Sequence, residues 1–110
     1  MIDDTLRKIE DSIHGSDSIS DERKRDLLKL LGQLKAEVSL LPESNREDAQ
    51  SIAAFTDVSA REATRANKNP ELLDLSLKGL SSSVAGFEKS HPQLVQVVNT
   101  ISHTLSNLGI

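Results

Sequence analysis

The chain has 110 residues, the length of one ordinary domain, with 36% hydrophobic and 27% charged residues, which is too apolar for a disordered chain. It holds two Phe, no Trp and no Tyr, so Leu, Ile and Val must build the core, and a core so made is thin for a domain of this size. The net charge of -4 argues against a protein that coats nucleic acid, and the absence of Cys excludes disulfides and thiolate chemistry.

Ile2, Leu6, Ile9 and Ile13 recur at helical spacing and predict a first amphipathic helix, with Gly15 placed to end it in a left-handed cap. Ser16 to Ser20 reads as a turn. Ser18 or Ser20 can cap a second helix, whose first turn carries the acids Asp21 and Glu22 where the helix dipole favours them. The seam of that helix is Leu27, Leu31, Leu34, Val38 and Leu41, and Pro42 stops it. Ser44-Asn45-Arg46-Glu47 has the form of a capping box and opens a third helix ending near Ala66. Its apolar positions are mostly small: Ala49, Ile52, Ala53, Phe55, Val58, Ala60 and Ala63.

Asn69-Pro70-Glu71 marks a fourth helix start, a cap followed by Pro at the first helical position and an acid. Leu73, Leu77, Leu80, Val84 and Phe87 form its seam, and Ser76, Gly79, Ser83 and Gly86 a stripe of small residues beside it. Gly inside a helix costs about 1 kcal/mol relative to Ala, so Gly79, Ser83 and Gly86 point to close approach of another helix. Ser90-His91-Pro92-Gln93 reads as a capping box for a fifth helix with the seam Leu94, Val98, Ile101, Leu105 and Leu108; Gly109 sits where a left-handed stop belongs, with Ile110 folding back on Leu105. No strand alternation occurs. The expected fold is all-α, four to five helices with coiled-coil-like leucine seams in a single domain over 1–110, arranged as a bundle or a hairpin array and oligomeric.

Residues 90–110 hold no charged side chain, as the cores of interfaces commonly do. Leu94, Val98, Asn99, Ile101, Ser102, Leu105 and Leu108 are therefore the candidate interface. His91 and His103 stand about 120° apart around a helix, and His14 lies at a helix end, which gives none of the spacings that converge on a metal. The serines at 81–83 lack a neighbouring base, and no phosphate-binding glycine loop is present. No catalytic residue, cofactor or metal is expected. Arg61, Arg65 and Lys68 share one predicted helix face that could grip phosphates, although Asp57 and Glu62 are close and favour a solvated face.

The element Phe87-Glu88-Lys89-Ser90-His91-Pro92-Gln93-Leu94 and the end Leu105-Ser106-Asn107-Leu108-Gly109-Ile110 resemble a family of short bacterial proteins known only as a domain of unknown function. A Phe-Glu-x-Ser-His-Pro element and a terminal Leu-Ser-Asn-x-Gly-Ile recur in that family. Leu6, Ile9 and Ile13, then Ser20-Asp21-Glu22-Arg23 and the leucines 27, 28, 30 and 31, carry a more generic likeness. The resemblance spans about residues 5–41 and 72–110, with 43–69 read as an extra helix. It implies no activity, substrate or cofactor.

The reading is a non-catalytic helical interaction module that self-associates through its apolar seams. The alternative is an adaptor that binds a specific protein through the charge-free C-terminal helix, and an outside alternative is anion or nucleic-acid binding through Arg61, Arg65 and Lys68. The chain start Met1-Ile2-Asp3-Asp4 has no basic, apolar leader and no stretch reaches the ~20 apolar residues that span a bilayer, so a cytoplasmic protein without a membrane is expected.

Overall fold

The computed structural model describes residues 2–108 and shows α1 (Ile2–His14), α2 (Asp21–Ser39), α3 (Arg46–Ala63), α4 (Pro70–Ser83) and α5 (Pro92–Leu108), with a 3-10 turn at Glu43–Asn45 leading into α3. No strand occurs among the described residues. The extents are 38 × 24 × 21 Å, which makes the arrangement a bundle rather than an extended array of hairpins. The seams read from the sequence face inward: Leu6, Ile9 and Ile13 of α1, Leu27, Leu31, Leu34 and Val38 of α2, and Leu94, Val98, Ile101 and Leu105 of α5 join one core.

Helix starts follow local chemistry in two places. The Ser20 hydroxyl accepts from the Arg23 N–H at 3.3 Å, and the Asn69 side chain accepts from the Leu72 N–H at 3.2 Å with Pro70 in the first turn. Elsewhere the expected devices are replaced. Ser44 does not cap α3: the 3-10 turn carries the chain past it, and Asn45 stands at the cap position with its side-chain N–H donating to Asp48 at 2.9 Å. The helix α5 begins at Pro92, so His91 rather than Ser90 occupies the cap position, and the His91 carbonyl accepts from Val95 N–H at 3.3 Å. Gly15 ends α1 without a left-handed conformation; its N–H donates to the Asp11 carbonyl at 3.0 Å, and no described residue has a positive φ. The stop expected at Gly109 and the return of Ile110 onto Leu105 lie outside the described residues.

The helices α3 and α4 end earlier than the sequence predicts. The fourth stops at Ser83, yet Val84 and Phe87 remain buried in the turn that follows, so the seam continues into the core after the helix has ended. The His91 ring meets the Phe87 ring edge-on at 5.7 Å, which gives the Phe-Glu-x-Ser-His-Pro element a packing role in that turn. The third stops at Ala63, so Arg65 and Lys68 lie beyond it.

Far from being an appendage, α3 packs on α1, α4 and α5, most closely on α4. Its buried face is Ala49, Ile52, Ala53, Thr56, Ser59, Ala60 and Ala63. Two of these are polar and fully buried. The Thr56 hydroxyl donates to the Ile52 carbonyl at 2.7 Å, while the Ser59 hydroxyl is shielded and has no partner. Phe55 and Val58, counted among the apolar positions of this helix in the sequence, are exposed.

Close approach is real at one glycine and missing at another. A Cβ on Gly79 would lie 2.3 Å from the Phe55 ring, whereas Gly86, in the turn after α4, has open space around it. Ser83 is half-buried, its hydroxyl donating to the Leu80 carbonyl at 2.6 Å. The stripe Gly79-Ser83-Gly86 therefore contracts to Gly79 beneath Phe55, because the helix ends before Gly86.

Gly79→Ala gains about 1 kcal/mol of helix propensity but displaces the Phe55 ring, and overpacking of this kind costs about 1–3 kcal/mol. The substitution should therefore be neutral or destabilising in the natural chain and stabilising by about 1 kcal/mol in a Phe55→Ala background. Urea unfolding of the four chains measures the difference, and equal effects in both backgrounds would mean that the ring moves aside freely. Ser59→Ala, which removes a shielded hydroxyl without a partner, should raise stability by roughly 0.5–1 kcal/mol in the same assay.

Candidate functional site

The candidate interface divides when α5 is placed in the bundle. Leu94, Val98, Ile101 and Leu105 are buried inside the chain's own core, and Leu108 is half-buried against it, so this seam is not a free docking surface. The apolar period of α5 is consumed by α2, α3 and α4. Ser102 is half-buried, its hydroxyl shielded and without a partner, so it too belongs to the interior side. Of the seven residues, Asn99 alone is exposed.

What remains on the outside of α5 is uncharged and polar: Gln93, Gln96, Asn99, Thr100, His103 and Asn107 are exposed, with Val95 and Val97 half-buried between them. Two grooves flank the ridge formed by Gln96 and Thr100. One, of about 510 Å³, is lined by Glu88, Pro92, Val95, Gln96, Asn99, Thr100 and His103. The other, of about 410 Å³, lies between α5 and α2 and includes Leu30, Gln33, Ala36 and Glu37. The Thr100 hydroxyl donates to the Gln96 carbonyl at 2.9 Å and the Thr104 hydroxyl to the Thr100 carbonyl at 2.9 Å, so these side chains lie against their own helix. The amides of Gln96 and Asn99 present donors and acceptors together, which suits them to uncharged partners.

A second surface lies across α3 and α4. Phe55, Val58, Leu72 and Leu75 are exposed, Leu75 by 62%. The Phe55–Gly79 contact fixes the register of the two helices, and a six-residue connection makes them antiparallel neighbours. Counting three or four residues along each helix from that contact sets Val58 level with Leu75, with Leu72 nearer the connection. Sequence reading missed this strip because it counted Phe55 and Val58 only as apolar positions of α3 and had no register between α3 and α4.

The cation trio does not share a helix face. Arg61 on α3 donates to Asp57 at 3.1 Å, Arg65 pairs with Glu62 at 2.8 Å, and Lys68 folds back onto the Ala63 carbonyl. Each is already engaged, as expected of a solvated, internally paired face. The histidines are dispersed: His14 is exposed at the end of α1, His91 rests on Phe87 and His103 stands on the outer face of α5. Among the described residues no three His, Cys, Asp or Glu side chains gather as a metal site would require, and no helix is long and apolar enough to cross a membrane.

No curated protein and no solved structure matches the chain. A family model does, and its match covers residues 27–110, taking in the 43–69 segment that the sequence read as an extra helix and leaving out the 5–26 stretch of the N-terminal likeness. With the greater part of the chain matched, from the leucine seam of α2 through α5, the protein belongs to the family of the domain of unknown function DUF4404.

Proposed function

We propose that this protein is a non-catalytic helical interaction module that self-associates, with the outer face of α5 as its contact surface. The observation that carries the proposal is the chemistry of that face. A peripheral helix normally bears charges toward solvent; α5 bears none, while its inward seam is fully used by the chain's own core. Uncharged amides and hydroxyls can be covered at moderate cost when they find hydrogen bonds, which Lys or Glu side chains cannot. The adaptor alternative uses the same face for a different protein. A second reading rests on the strip Phe55, Val58, Leu72 and Leu75, since grouped exposed apolar side chains mark contact sites. The paired state of Arg61, Arg65 and Lys68 weighs against anion or nucleic-acid binding.

Asn99 is the residue on which to test the face, because it is exposed and stands clear of the core. Ser102→Glu would instead insert a charge at a shielded position and perturb the fold. Asn99→Lys should weaken self-association while changing stability by less than about 0.5 kcal/mol. Light scattering coupled to chromatography, with thermal melts alongside, reads both quantities. An associated state that survives Asn99→Lys at natural strength would exclude the α5 face and turn attention to the α3–α4 strip.

A further inference from the structure

We infer that the occupant of the α5 face is a second copy of this chain, packed antiparallel so that Glu88 of each copy meets the partner's His103. The inference rests on the reading of α5 as the contact surface and adds the arrangement. The larger groove is a stripe along one side of the helix, with Glu88 at its head, Pro92, Gln96, Asn99 and Thr100 along it, and His103 at its foot. Both end residues are exposed. No other residue lining the groove is charged; Lys89, exposed beside Glu88, lies outside that lining, and from residue 90 onward α5 carries only uncharged side chains. Such a stripe is complementary to itself in one orientation. With a two-fold axis beside Gln96, the acid end of one copy lies over the imidazole end of the other, and a ring N–H can donate to the carboxylate. A parallel arrangement would set carboxylate against carboxylate.

The centre of the stripe fits the same copy. In a two-fold contact the residues next to the axis meet their own counterparts, so the polar groups there must pair with their own kind. Glutamine and asparagine amides do so, each bringing a donor and an acceptor. The Gln96–Thr100 ridge stands between two grooves, so the ridge of one copy has a groove to enter on the other. The α2-side groove adds Leu30, Gln33 and Ala36, with Glu37 at its edge. A stable specific interface takes ~800 Å² per partner, roughly an eighth of the 6543 Å² accessible surface, and it would be drawn from α5, about 25 Å long, together with its border on α2.

The test is a charge exchange across the groove, read by light scattering over a dilution series, with circular dichroism to confirm that each variant is folded. The natural chain should form a dimer. His103→Glu alone, which sets two carboxylates opposite each other twice per dimer, should weaken it roughly tenfold. Glu88→Lys combined with His103→Glu should restore affinity to within about threefold of the natural chain. A natural chain that is monomeric at every concentration overturns the second-copy inference together with the self-association proposed above, and leaves the α5 face to the adaptor alternative. A dimer indifferent to Asn99→Lys and to both exchange variants overturns the inference and the α5 reading together. A dimer that Asn99→Lys breaks but the double exchange fails to restore overturns the antiparallel pairing alone.

Discussion

α3 stands against α1, α4 and α5, and Ile52 is the one large aliphatic side chain on its buried face. The other positions there are Ala, Ser and Thr. Small side chains on that face leave room for the neighbouring helices to approach α3. The large side chains of the core are then supplied from around it: Leu6, Ile9 and Ile13 from α1, Leu80 from α4, Leu94 and Ile101 from α5. Placing Leu or Ile at Ala53 or Ala60 would have to push those helices outward. The thinness of the core noted in the composition is thus relieved partly by geometry, since aliphatic side chains close over a face of small residues without needing aromatic bulk to span a gap.

The same smallness of side chain explains the polar residues in the interior. Thr56, Ser59 and Ser76 are buried on α3 and α4, where their small size matters more than their polarity. Two of the three return a hydrogen bond to their own helix, Thr56 to Ile52 and Ser76 to Leu73. This local solution removes most of the cost of burial without requiring a cross-helix network. On α5 the same back-bonding by Thr100 and Thr104 occurs on the outward side. It leaves the longer amides to define that surface.

The helix class and most of the core were legible in the sequence because leucine seams of 3.5-residue period have one reading, and α1, α2 and α5 fold as those seams predict. Boundaries were less legible. Val84 and Phe87 continue the period of α4 although the helix has ended, since burial depends on where a side chain arrives and not on the backbone that carries it there. The rank of α3 was misread for a related reason: small residues look like weak core when counted by hydrophobicity, and become central once neighbours are in place. The α5 surface was half legible. Its lack of charge is a property of the sequence, but the assignment of Leu94, Val98, Ile101 and Leu105 to the chain's own interior depends on α2 and α4, which no local pattern specifies.

The groove that joins Leu30, Gln33 and Ala36 to Gln93, Gln96 and Thr100 draws its walls from opposite halves of the chain. Neither half possesses the surface by itself. During synthesis it cannot exist until α5 has left the ribosome and closed against α2, and in a chain that has opened at either helix it disappears. Any partner that reads this surface therefore recognises molecules in which α5 has closed on α2 and ignores ones that have opened there. By mass action it also shifts the population toward the closed form in proportion to its concentration. A surface assembled from distant segments is in this sense a quality check.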